Sequence, residues 1–225
     1  MPRIAKVPVF KQFSEAINCW ERDALPMSIS EIFGNEQAPL MIELGAGSCY
    51  FSRGFAQAHP DWNVIATDLK RDRLWKGAKR AAKDKLENIA FINIDVAKLA
   101  QLVTNQSVDQ LWLTFPDPYP KARQAKHRMN QPDFLKTYKK LLKPKGTFHL
   151  KTDDSNFFTE TIENLEKQKW MLEIIEPDLH QSSLDGDELI RTRYEQEFMQ
   201  AGIPINYLCA TNQSFLFQRN KSFQL

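Results

Sequence analysis

The sequence is short of several things, and each shortage removes a class of function. Its three cysteines, Cys19, Cys49 and Cys209, stand far apart with no CxxC pair among them. That spacing excludes a disulfide framework and a structural zinc site. The four histidines, His59, His127, His149 and His180, are scattered, so no metal site is expected. No apolar run approaches the ~20 residues that span a bilayer, and no basic-then-apolar segment opens the chain. The expectation is a cytoplasmic protein with no membrane partner. Net charge is only +2, so bulk charge does not announce a nucleic-acid binder. Glycine is scarce where it would matter most. The turn after the first core strand has Gly45 and Gly47, but Tyr50 occupies the position of the third glycine in the G-x-G-x-x-G fingerprint for pyrophosphate.

What is present is an ordinary globular composition, 42% hydrophobic and 26% charged, with length enough for one α/β domain and a sizeable core. Residues 1–38 read as a helical arm or lid, with Phe13, Ile17, Trp20 and Leu25 on one helix face ended by Pro26. Residues 39–225 read as a single domain. Strands are expected at 40–44, 62–67, 89–94, 108–115, 147–151, 170–176 and 205–217. Helices are expected at 48–58 (capped by Ser48), 71–85, 96–103, 131–142, 154–167 and 192–199. The polar stretch 177–190 is long enough to be functional or mobile. This β-α alternation requires a mostly parallel sheet with helices on both faces, here of seven strands. Nothing in the sequence sets the oligomeric state, monomer or homodimer.

Four consecutive strands end in an acid: Glu43, Asp68, Asp95 and Asp117, with Asp153 after a fifth. Ligands of such sheets bind at the carboxyl ends of strands. Glu43, just before the Gly45–Gly47 turn, would repel a pyrophosphate and welcome a cationic ligand. S-adenosylmethionine carries a sulfonium and an ammonium. Asp68 suits its two ribose hydroxyls, because a carboxylate accepts both bonds, and Asp95 can accept from the adenine amino group.

The stretch Leu111–Arg128, LWLTFPDPYPKARQAKHR, begins as a buried strand and is stopped by the two prolines around Asp117. Then come an aromatic ring, Tyr119, and the cations Lys121, Arg123, Lys126 and Arg128. From Lys121 to Lys145 the only acid is Asp133, while acids collect from Asp153 to Asp187, which gives the neutral whole one charged face. An acid and a ring beside a basic loop suit a base held while its phosphates are gripped.

Taken together, ELGAG at 43–47, TD at 67–68, Asp95, FPDPYPKAR at 115–123, LKPKG at 142–146, KTD at 151–153 and TRYE at 192–195 resemble the bacterial tRNA (guanine-N7-)-methyltransferase family. The resemblance implies a Rossmann-like class I methyltransferase fold and methyl transfer from S-adenosylmethionine to guanine N7 in tRNA, at the variable loop. It implies that Glu43, Asp68, Asp95 and Asp117 bind or border the cofactor, with Gly45 and Gly47 in its turn. It further implies that Lys121, Asp153 and Thr192, Arg193, Tyr194 and Glu195 face the tRNA. From the residues alone, Thr192 and Glu195 form a capping box. Asp117 is the expected central residue, with Tyr119 stacking on the base and Lys121, Arg123, Lys126 and Arg128 on phosphates. The chain departs from the family pattern at Cys49, where a third glycine is usual and a bulkier side chain is expected to narrow the methionine end of the pocket. It departs again at Tyr119, where Trp is usual, and at Ala122, Gln124 and Ala125, which dilute the basic loop. Two alternatives stay open. Pro116–Tyr119 is similar to the (D/N)PP(Y/F) loop of methyltransferases acting on exocyclic amines, and Cys49 also fits a catalytically decayed RNA-binding paralogue.

Overall fold

A computed structural model describes residues 13, 16, 18–21, 23–25 and 28–212. Two compact units form, one up to Val103 and one from Thr104. The architecture is α/β and Rossmann-like, with eight strands in a mostly parallel sheet.

The first unit contributes β1 (Cys19–Glu21), β2 (Leu40–Leu44), β3 (Asn63–Thr67) and β4 (Ile89–Asn93), in the order β1-β4-β3-β2 and all parallel. Strands β2, β3 and β4 are buried along their whole length, as near-continuous apolar runs become in a parallel sheet. Helix α1 (Ile29–Phe33) starts where the Ser28 hydroxyl accepts from Glu31 N and ends at Gly34, whose φ of 70° stops the turn. Helices α2 (Tyr50–Ala58) and α3 (Arg71–Lys83) cross over from β2 to β3 and from β3 to β4. The stripe Leu74, Ala78 and Ala81 of α3 is buried, as its spacing predicts.

Strand β1 corrects the expected count of seven. The helical reading of Phe13–Leu25 fails at Cys19–Glu21, which pairs with Phe91–Asn93. The reason is local: Asn18 sits at φ 60°, which ends any helix, and its carbonyl accepts from Phe91 N at 2.8 Å. Edge donors of β4 reward an extended partner more than the apolar spacing rewards a helix. Phe13 is buried, while Ile17 and Pro26 lie outside the described residues.

The second unit contributes β5 (Val108–Thr114), β6 (Leu142–Thr152), β7 (Met171–Glu176) and β8 (Asn206–Thr211), in the order β5-β6-β8-β7. Strand β6 is parallel to β5, and β8 is antiparallel to both β6 and β7. Helices α4 (Pro132–Leu141), α5 (Ser155–Lys167) and α6 (Arg193–Gln200) fall within a residue or so of expectation. Residues 213–217 of the expected last strand lie outside the described residues. Strand β6 begins earlier than expected. Leu142 already pairs with Val108, the chain bulges through Pro144–Gly146, and pairing resumes at Gln110 and Thr147. Gly146 permits this, since a Cβ there would lie 3.0–3.1 Å from the carbonyls of Lys143, Val108 and Asp109.

His149 is one of several polar side chains buried in this sheet. It stacks on Trp112 with ring centroids 4.0 Å apart. Its Nδ1 meets the Tyr207 hydroxyl at 2.9 Å and its Nε2 the Thr147 hydroxyl at 2.7 Å. Burial pushes its pKa down to about 3, so the folded state holds it neutral. The unfolded chain gains a proton near the usual histidine pKa, so stability present above about pH 6.5 is lost as pH falls toward 3. We expect a loss of roughly 2 kcal/mol between about pH 7 and about pH 5, read by urea unfolding. His149→Phe should remove that part of the slope, and an unchanged slope in this variant would contradict the assignment.

Candidate active site

In the first unit, carboxylates at strand ends hold the loop that follows β2. Glu43, buried at the end of β2, accepts from Ser52 N at 3.0 Å and from the Ser52 hydroxyl. It thus caps α2 from the strand. Ser48 was the expected cap, but the helix begins with Cys49 at the N-cap and no side-chain cap bond. Asp68 accepts from Gly47 N at 2.8 Å through Oδ2 and from Lys70 N at 2.6 Å through Oδ1. Burial raises its pKa, and these two N–H donors hold part of that rise back. The Thr67 hydroxyl donates to the Glu43 carbonyl at 2.8 Å, and Asn93 Nδ2 to the Asp68 carbonyl at 2.9 Å. Three strand ends are thereby tied together. Asp95 is exposed and accepts from Ala97 N at 3.0 Å, capping a short 3-10 turn.

The turn itself is open. Gly45 and Gly47 have φ of 70° and 55°, and a Cβ on Gly47 would meet nothing within 4 Å. The donor set fits an adenosyl cofactor bearing positive charge: acids at three strand ends and backbone free of side chains between two of them. Cys49 is also left-handed, at φ 57°, and fully buried. Its thiol sits against Gly77 of α3, where an added Cβ would lie 2.6 Å from Sγ. The third-glycine position therefore holds a side chain because α3 lacks one opposite it. Burial, reinforced by Glu43, keeps the thiol pKa well above its usual value, so this is an inert thiol.

In the second unit, β5 ends in the turn Phe115–Tyr119. Phe115 N donates to the Lys151 carbonyl at 2.8 Å, and the Phe115 ring packs on Phe198 of α6 at 5.8 Å. Phe115 and Tyr119 have φ of 49° and 43°, unusual for aromatic residues. Between them the Asp117 side chain is exposed and has no partner among the described residues. Tyr119 lies 5.8 Å from the His127 ring. Lys121, Arg123 and Lys126 are exposed on and beside the 3-10 turn Ala122–His127, and none has an ion-pair partner among the described residues. Arg128 departs from this set. Its Nε donates to the Pro118 carbonyl at 2.9 Å, its Nη2 to the Tyr119 carbonyl at 2.9 Å, and its Nη1 to both oxygens of Glu160.

Strand β6 ends at Lys151-Thr152-Asp153. Asp153 is half-buried, and burial followed by the charge of Asp154 raises its pKa. Lys151, to which the sequence pattern assigns no role, is fully buried. It donates to Glu195 at 2.7 Å and to the carbonyls of Glu188 and Ile190 at 2.7 and 3.1 Å. A lysine inside a buried strand must find a counter-charge, and that rule was the available signal. The capping box is present in both halves, with Thr192 accepting from Glu195 N and Glu195 from Thr192 N. Glu195 is therefore buried beneath the turn, whereas Arg193 and Tyr194 are exposed.

These features define a Rossmann-like methyltransferase, and residues 37–208 match the family described as "Putative methyltransferase". The fold is similar to a 16S rRNA methyltransferase, KamB, at TM-score 0.62 and 15% identity, covering 87% of this chain and 97% of that one. The chain is 36% identical to a tRNA (guanine-N(7)-)-methyltransferase of Brevibacillus brevis over 76% of its length and 79% of the relative's. It is 37% identical to one of Bacteroides thetaiotaomicron over 79% and 70%. The chain belongs to the tRNA (guanine-N7-)-methyltransferase family.

Two outcomes follow from this packing. Gly77→Ala should cost about 1–3 kcal/mol in urea unfolding by crowding Cys49, and adding Cys49→Gly should recover most of the loss. An equal loss in both backgrounds would sink the pairing. Lys151→Met should cost about 3–5 kcal/mol by leaving buried Glu195 with only His180, whose Nε2 lies 2.9 Å from its other oxygen. A cost under about 1 kcal/mol would show the pair to be unimportant.

Proposed function

We propose that this chain transfers a methyl group from S-adenosylmethionine to N7 of a guanine in tRNA, at the variable loop, and works in the cytoplasm. The observation that carries the proposal is Asp117: an exposed carboxylate in a pinned turn, followed by three exposed cations, all without a partner among the described residues, in a chain of this family. In the first unit Glu43, Gly45, Gly47, Asp68 and Asp95 would hold the cofactor. S-adenosylmethionine, when bound, supplies a methyl group on a positively charged sulfur.

Guanine N7 offers an in-plane lone pair and carries no proton, so the chemistry calls for no strong base. The task is alignment, which can supply up to ~7–11 kcal/mol in well-oriented systems. Asp117 accepts from guanine N1–H and the exocyclic amine and offsets the positive charge that grows on the purine. Tyr119 stacks on the base, worth ~1–3 kcal/mol. Lys121, Arg123 and Lys126 grip phosphates, which makes affinity fall with salt. Asp153 and the exposed Arg193 and Tyr194 meet the RNA. Thr192 and Glu195 shape the turn that presents them, through the capping box and Lys151. Accommodation of Cys49 by Gly77 favours a working cofactor turn over a decayed one.

The test is incubation with methyl-labelled S-adenosylmethionine and unmodified tRNA. Label should enter tRNA with wild-type protein. Asp117→Ala should lower transfer by at least ~10²-fold while calorimetry shows cofactor binding retained. Near-wild-type turnover in that variant would remove Asp117 from the centre of the proposal.

A further inference from the structure

We infer that Arg128 and Glu160 form a clamp that sets the backbone of the Pro116–Tyr119 turn, and that Arg128 is a positioning residue rather than a phosphate contact. The inference rests on the proposed methyl transfer and concerns how its central carboxylate is aimed.

The turn needs an external restraint. Two aromatic residues in the left-handed region, Phe115 and Tyr119, bracket Asp117, and side chains at positive φ relax unless the surroundings hold them. At the first, the hold is the bond to the Lys151 carbonyl and the contact with Phe198. At the second, it is Arg128. Its Nε bridges the carbonyls of Pro118 and Tyr119 at 2.9 and 3.2 Å, and Nη2 adds a second bond to Tyr119 at 2.9 Å. A planar fork that spans two adjacent carbonyls fixes their relative orientation, which a lysine ammonium does not reproduce.

The other edge of the fork is anchored. Nη1 meets both Glu160 oxygens at 3.0 and 2.9 Å. Glu160 is in turn fixed by Asn130 Nδ2 at 3.2 Å and Gln131 Nε2 at 3.2 Å. Asn130 is fully buried and also donates to the Phe157 carbonyl and the Thr161 hydroxyl, while its carbonyl accepts from Asn164. Arg128, Asn130 and Gln131 thus converge on one carboxylate of α5. The path from α5 to the turn runs through side chains with every bond specified. The Arg128 side chain is largely buried, and each of its nitrogens already has an acceptor. Lys121, Arg123 and Lys126 share its charge but none of these bonds.

The two roles predict opposite results. As a phosphate contact, Arg128 would tolerate replacement by lysine, and loss of the neighbouring acid Glu160 would tighten tRNA binding. As a clamp, both Arg128→Lys and Glu160→Ala should lower kcat for tRNA methylation. We expect roughly a 100-fold drop, the scale of a misplaced reacting group, with KM for tRNA and the salt dependence of KM near wild type. Glu160→Gln, which keeps one acceptor for Nη1, should retain more kcat than Glu160→Ala. Cofactor binding by calorimetry and a thermal melt report whether each variant is folded. If Glu160→Ala does not fold, the Arg128→Lys and Glu160→Gln pair decides on the same readout. Wild-type kcat in Arg128→Lys, or unchanged kcat with a lower KM in Glu160→Ala, would overturn the clamp. No transfer by the wild-type protein to any tRNA would instead sink the proposed function on which the clamp rests.

Discussion

A carboxylate withdrawn from water must be met by donors, and this protein uses that requirement to hold its loops. Leaving such a group unmet costs more than the bond contributes when made. Glu43 takes the first turn of α2, Asp68 takes Gly47 and Lys70, and Glu195 takes Lys151 and its own cap; Glu160, partly exposed, takes Arg128. In each case the loop conformation is the one that brings donors to the acid. The acids at strand ends are therefore of two kinds. Glu43 and Asp68 are largely occupied by the fold, whereas Asp95 and Asp117 are exposed.

That division explains what could be seen in advance. The core strands are legible because runs such as LMIEL and IAFIN are nearly continuous apolar segments with one polar residue near the end, the pattern of a strand covered on both faces. The capping box at Thr192 and Glu195 was legible because its spacing is itself the mechanism. Strand β1 was not, since three residues carry no period and their pairing depends on a free edge of β4. Local spacing points to Ser48 as the cap of α2, whereas the acceptor lies nine residues before its donor, on another element. Local rules see only local partners.

The same limit governs the basic segment. Lys121, Arg123, Lys126 and Arg128 look alike in sequence. What separates Arg128 is Glu160 on α5 and the two carbonyls of the turn, contacts thirty-two, ten and nine residues distant. Cys49 shows the complementary case. It breaks the glycine pattern, yet Gly77 supplies the missing space from α3. A departure from a motif is judged by what faces it, not by the motif alone.

The accepting atom at the centre of the proposed transfer is guanine N7, a nitrogen with a lone pair and no proton, which an enzyme without a strong base can methylate. A methyl group on N7 leaves the purine positively charged, so borohydride reduction followed by aniline cuts the RNA at that nucleotide and nowhere else. After reaction of bulk unmodified tRNA with this protein, we predict scission at one guanine in the variable loop, matching the label incorporated. Label without scission would place the methyl on another atom and contradict the account.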